Sequence, residues 1–189
     1  MSIVRRTTLT TAFLVWASAS AIGQQMPTPT PVPTPAAVPA VAVTPAPAPA
    51  SPPAYGTPIS LEAAKKAMAA SEAEAAKNNW PVAIAIIDST GHLVMFTRLE
   101  NTQYGSIGIA MDKAQTAVDY RRPTKAFQDL VAQGGGGLRI LGIKSVSPLE
   151  GGVPIVVDGK IIGAIGVSGV TSEQDAQIAR AGSAAVGGK

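Results

Sequence analysis

Cysteine is absent from this chain and histidine occurs once, at His92. The first absence excludes a disulfide framework, thiolate metal sites, cysteine nucleophiles and covalent c-type haem attachment. The second excludes multi-histidine metal sites and leaves a hydrolytic triad one possible base, His92. Charge is sparse as well. The formal value of +3 falls to near +1 without Arg5 and Arg6, so no nucleic-acid partner is implied. Long apolar runs are missing too: the stretch from Leu9 to Ile22 falls short of the ~20 residues a membrane-spanning helix needs. No internal repeat is present.

What is there divides into three parts. Residues 1–23 join a basic start, an apolar stretch and small residues before Gln24, the pattern of a cleaved export signal with cleavage expected after Gly23. The expected location is therefore periplasmic or extracellular, with no stable membrane span after cleavage. Arg5–Arg6 leaves open export by the twin-arginine or the general route. Residues 24–58 have proline at nearly every second or third position through much of their length and no charge. Such a segment favours polyproline II and packs no core, so a disordered, semi-rigid spacer is expected. Residues 59–189 are the folding unit.

Within that unit, Ser60 caps an alanine-rich helix over Leu61–Lys77, with Glu62 and Lys66 four apart. Val82–Ile87 is a continuous β-branched and alanine run, expected as a strand buried on both faces. Asp88–Gly91 has the turn chemistry to fold it back on Leu93–Arg98. Ile107, Ala110, Met111, Ala114, Ala117 and Val118 share one face of a second helix. Thr124 can cap a short third helix, and Leu138–Ile143 reads as a strand. Val153–Val157 and Lys160–Val167 form a hairpin around Asp158–Gly159. Thr171 or Ser172, with Gln174 or Asp175 three residues on, starts the last helix in a capping box.

Several patterns carry less than they first suggest. Gly134–Gly137 lacks the Lys-Ser/Thr of a phosphate loop and suits a mobile lid or a plain linker. Gly163, Gly166 and Gly169 miss the dinucleotide fingerprint and fit close packing of a helix on a strand. The amides around Thr171–Glu173 could receive an anion, against the charges of Glu173 and Asp175. Glu72 and Glu74 point to different faces and make a poor metal pair. Lys113, Thr116 and Tyr120 fall three and four apart, a stripe that either looks into a pocket or forms a solvated flank. Arg121 and Arg122 suit a helix C-terminus, or grip carboxylates.

Three segments together resemble the GlcG/HbpS family, whose better-studied members bind haem: Val82–Thr97, Asp112–Phe127 with its lysine-threonine helix and arginine-proline-threonine turn, and Gly152–Gly182. The resemblance implies an α+β, profilin-like layered fold with a five-stranded antiparallel sheet flanked by helices. It implies a homo-oligomer and a haem or other tetrapyrrole ligand, with a corrinoid less favoured. Haem would be held non-covalently between the second helix, the sheet and the glycine loop. The candidate contacts are then Tyr120 as a phenolate, Thr116 as a weak ligand or donor, Lys113 and Arg122 for acidic ligand groups, and His92 as an imidazole donor. The favoured reading of His92 is a surface turn residue, which the hairpin needs whatever the function. Haem handling or redox sensing is one functional expectation. A non-enzymatic module presented to an envelope sensor is a second, and an enzyme acting on a small organic acid a third. No convincing acid/base pair supports the last.

Overall fold

A computed structural model describes residues 51–187. The expected export signal and most of the proline-rich spacer lie outside these residues. Four helices and five strands follow the order β1 (Ala54–Tyr55), α1 (Leu61–Asn78), β2 (Ala83–Asp88), β3 (Leu93–Arg98), α2 (Gly105–Asp119), α3 (Lys125–Ala132), a 3-10 segment over Gly135–Gly142, β4 (Gly152–Val157), β5 (Lys160–Ser168) and α4 (Ser172–Gly187).

β5 is the central strand. It pairs antiparallel with β4 on one side and with β2 on the other, and β3 continues antiparallel from β2. β1 extends the β2 side, pairing parallel with β5 at Ala54↔Lys160 and Tyr55↔Ile161. The sheet is therefore mixed, where a purely antiparallel one was expected. The fifth strand comes from the end of the expected spacer, ahead of Ile59, and not from Leu138–Ile143.

Those latter residues coil into the 3-10 segment because positive φ at Gly134 (69°) and Gly135 (52°) turns the chain back onto α3. Gly137 lies so close to the Leu130 carbonyl that a Cβ there would overlap it. The glycine run thus reverses the chain direction, packed on α3 at Gly137 and open around Gly134, Gly135 and Gly136.

Side-chain size along β2 sets the layers. Ile84 and Ile86 point to one face, where Ala67, Met68 and Ala75 of α1 and Ile178 and Ala179 of α4 meet them with Ile165 and Val167 of β5. Ala83, Ala85 and Ile87 point to the other, beneath Ala110, Ala114, Ala117 and Val118 of α2. All of β2 from Ala83 to Ile87 is buried, as its unbroken apolar run predicts. Within α2 the inner face is narrower than the periodicity suggests, for Met111 stands exposed at its edge.

α2 lies low on the sheet because two glycines make its floor. Gly152 of β4 and Gly166 of β5 are register partners. A Cβ on Gly166 would stand 2.0 Å from the Ala110 carbonyl oxygen, and one on Gly152 would stand 2.2 Å from that of Lys113. Of the three glycines spaced along this stretch, Gly166 therefore serves close helix packing, whereas Gly163 meets the β2 backbone at Ile87 and Gly169 that at Pro81 and Val82.

The local signals hold at the element ends. The Ser60 Oγ accepts from the Ala63 amide at 3.2 Å, and Thr171 and Gln174 close a reciprocal capping box. Asp88 accepts the Thr90 amide at 2.8 Å and the His92 amide at 3.1 Å, shaping the β2–β3 turn. Thr124 departs from its expected role as a cap: its hydroxyl is buried and accepts the Gly152 amide at 2.9 Å, pinning α3 to β4.

Gly166→Ala should lower stability by about 1–3 kcal/mol or more through overpacking against the α2 backbone. Gly108→Ala, at an α2 position with open space around it, should raise stability by up to about 1 kcal/mol. Urea denaturation of the two variants measures both.

Candidate functional site

The register of α2 directs its polar residues to three places. Lys113 points inward and is almost fully buried. Its Nζ donates to Asp175 Oδ2 of α4 at 2.8 Å and to the Val167 carbonyl of β5 at 3.0 Å. Gly151, at φ 132°, leaves the space this pair occupies: a Cβ there would be 2.7 Å from Nζ. Burial pushes the Asp175 carboxyl up, against the pull of the Lys113 ammonium and the amides of Val170 and Gly169. Lys113 is thus an internal ion-pair partner and is not presented to a ligand. Asp175 is correspondingly withdrawn from the mouth of α4, where sequence reasoning had placed it opposing an anion.

Thr116 is also buried, with its hydroxyl fully engaged. It donates to the Asp112 carbonyl at 2.8 Å and accepts the Ser147 amide at 2.8 Å. The side chain expected to touch a ligand instead holds the 144–148 segment against α2. Tyr120, one turn on, is half-buried. Its ring packs edge-on against Phe127 at 5.2 Å between centroids, and its hydroxyl meets only Ser145 Oγ, at 3.3 Å. Arg122 is exposed and folded back beside it, its Nε donating to the Tyr120 carbonyl at 3.1 Å and its guanidinium 5.9 Å above the Phe127 ring. Arg121, at φ 54°, turns away to stack over Tyr55 at 5.6 Å.

Between α2 and the 144–148 segment lies a cleft of about 280 Å³, lined by Asp112, Gln115, Lys144, Ser145 and Ser147 among others. Leu138, Leu141 and Ile143 stand exposed on the chain leading into it, Leu141 by 62%. Arg139 and Lys144 are also exposed along this stretch. The region thus joins a hydroxyl cluster, cations and exposed aliphatic side chains.

His92 stands apart from the cleft's lining. It is exposed at the β2–β3 turn, with Nδ1 2.8 Å from Thr90 Oγ1. The neighbouring Gly91 packs against the Gln115 side chain, so the turn abuts the flank of the cleft. Burial alone would raise Asp88, but bonds from the Thr90 hydroxyl and the His92 and Thr90 amides, with the adjacent imidazole, hold its carboxyl below the usual range. Among the described residues no group of three or more histidine, aspartate or glutamate side chains is gathered to hold a metal ion, and no helix is long and apolar enough to cross a membrane.

Residues 59–184 match the family described as haem degrading protein HbpS-like. The chain belongs to that family. Protein GlcG of Escherichia coli strain K12 is 43% identical over 110 residues, covering 58% of this chain and 81% of GlcG. A double mutant of Streptomyces reticuli HbpS superposes with a TM-score of 0.64 at 32% identity, over 76% of this chain and 99% of that one. The structure of a PduOC:heme complex gives 0.62 at 29% identity, over 68% and 95%. The profilin-like, helix-flanked five-stranded sheet read from the sequence is thereby shown, with β1 as its parallel exception.

Of the residues that organise the site, sequence reasoning missed Asp175 as a partner, and with it Ser145 and Phe127. Asp175 carried a readable signal: it shares the inner face of α4 with Ile178, Ala179 and Gly182, as Lys113 shares that of α2 with Ala110 and Ala117. Two opposite charges on two apolar faces imply a buried pair. Ser145 carried none.

Lys113→Met should cost about 3–5 kcal/mol by leaving Asp175 unpaired in the interior. Adding Asp175→Leu should recover part of that loss, and chemical denaturation of the single and double variants measures the coupling.

Proposed function

We propose that this HbpS-like domain binds haem non-covalently at the mouth of the α2 cleft, with the Tyr120 hydroxyl as the iron-side donor. The observation that carries the reading is the state of that hydroxyl: the Tyr120 ring is held against Phe127, while the hydroxyl at its exposed end has one long contact, to Ser145. Thr116 is fully used; neither Tyr120 nor His92 lines the cleft, but the Tyr120 hydroxyl reaches Ser145 on its wall, whereas the His92 ring meets Thr90 at the β2–β3 turn. The family's description and the haem complex of the related PduOC structure support the ligand class.

The residues present fit such a ligand in kind. A phenol can ligate ferric iron, Arg122, Arg139 and Lys144 can pair with propionates, and Leu138, Leu141 and Ile143 offer an apolar wall. The cleft itself is smaller than the roughly 300–1,000 Å³ of sites that enclose a drug-sized ligand. Haem would accordingly rest against its mouth, or the 144–148 segment would lift from Thr116. Bound haem would supply a redox-active iron. The chain's own part would be to hold, orient and partly shield it.

A corrinoid is the second reading of the same site. The corrinoid adenosyltransferase PduO of Salmonella typhimurium is 32% identical over 111 residues, which cover 32% of that protein. The basic and apolar start of the chain supports export, and with it a role in haem handling or redox sensing outside the cytoplasm, carried out as a homo-oligomer or with an envelope sensor as partner. Catalysis forms no part of the proposal.

Hemin titration of the full chain, followed in the Soret region, should show saturable binding with a shifted band. Tyr120→Phe should weaken binding about tenfold, near 1.4 kcal/mol. Thr116→Ala should weaken it less, by loosening the segment it holds, and His92→Ala should leave it within about twofold. Loss of the band in His92→Ala with Tyr120→Phe unchanged would overturn the assignment.

A further inference from the structure

A second cavity, of about 370 Å³, lies between α3, β4 and α4, away from the α2 cleft. Four charged side chains converge on it: Lys125 and Asp129 of α3, Glu150 just before β4, and Arg180 of α4. Glu150 is 5% exposed and lies deepest. Its backbone is fixed by the bond from its amide to Gln128 Oε1 at 2.8 Å.

The carboxylate of Glu150 is held by long contacts only. Arg180 Nη1 approaches at 3.3 Å through a single contact, and Lys125 Nζ at 4.0 Å. Charge-assisted bonds of full strength run at about 2.7–2.9 Å. Both cations are more than half exposed along their side chains, and Lys125 bonds Asp129 at 2.8 Å instead. Its Oε1 accepts the Arg180 bond, while Oε2 accepts no hydrogen bond among the described residues and is left open to a positive partner. Arg180, held by one long contact, can swing toward a negative partner, and Lys125 can exchange Asp129 for one.

The charges around the cavity balance, two of each sign, so a ligand of large net charge is disfavoured. Opposite charges stand only 3–4 Å apart, so a ligand's own ammonium and carboxylate must be similarly close together. The remaining wall is apolar, with Ala126 on one side and Val153 on the other. We infer that this cavity binds a free α-amino acid with an aliphatic side chain, its ammonium on Glu150, its carboxylate between Arg180 and Lys125, and its hydrocarbon part on Ala126 and Val153. The site goes beyond the haem reading and stands independently of it.

Calorimetric and ligand-observed NMR titration of the full chain with L-leucine tests this. Leucine should bind saturably at millimolar or lower concentration, while isoamylamine and isocaproate, each carrying one of its charges, should bind at least about tenfold more weakly. Glu150→Gln should weaken leucine at least about tenfold, and so should Ala126→Phe, which fills the cavity from a half-exposed α3 position and keeps all four charges. Should Glu150→Gln fail to fold, Ala126→Phe carries the test alone. Hemin titration should be unchanged in Ala126→Phe, so failure of either site is seen separately. Absence of saturable leucine binding, equal binding of isoamylamine or isocaproate, or unchanged affinity in Ala126→Phe would each overturn the assignment.

Discussion

A lysine ammonium and an aspartate carboxylate meet inside this protein at the end of the central strand, and the placing of α2 depends on that meeting. α2 and α4 cover opposite faces of the sheet, yet Lys113 reaches Asp175 beside Gly151 and the Val167 carbonyl. The two charges compensate each other where either alone would be intolerable. Because the pair fixes the rotation of α2 about its axis, it also decides which residues face outward. With Lys113 inside, Thr116 is directed under the 144–148 segment and Tyr120 to the edge of the cleft. The same rotation needs the glycine floor, since a methyl group on Gly152 or Gly166 would lift the helix away from β5.

Local chemistry was readable in the sequence wherever both partners of an interaction lie within a few residues. The Asp88 turn, the Thr171–Gln174 capping box, the alanine-rich α1 and the buried run of β2 all fall in this class. The family wording of Asp112–Phe127 and Gly152–Gly182 supplied the architecture that such signals cannot, because layer order is a property of distant contacts. β1 escaped because two residues in a proline-rich stretch have no periodicity of their own; their order comes from the backbone of β5, more than a hundred residues later. Leu138–Ile143 was misread as a strand because its composition is apolar, whereas positive φ at the preceding glycines sets its path.

The candidate site was legible as a stripe and not as a set of roles. Spacing placed Lys113, Thr116 and Tyr120 on neighbouring faces of one helix, but their partners lie 62, 31 and 25 residues away. Three residues that look equivalent on a helical wheel become an interior counter-charge, a clasp for a loop and an edge hydroxyl. A helical wheel carries no information about which neighbour arrives from elsewhere in the chain, and that neighbour decides whether a polar group is consumed or left available.

Tyr55 gives the start of the folded unit a mechanical meaning. Its hydroxyl bonds the Val118 carbonyl at 2.9 Å and the Asp119 carbonyl at 3.2 Å, closing off the last turn of α2, while its backbone lies in the sheet beside Ile161. Tension along the chain that precedes Ala54 would therefore be shared between the β5 backbone, through the β1 pairing, and the C-terminal turn of α2, through two hydrogen bonds and one stacked arginine. One of the two points where that force enters the domain is next to Tyr120.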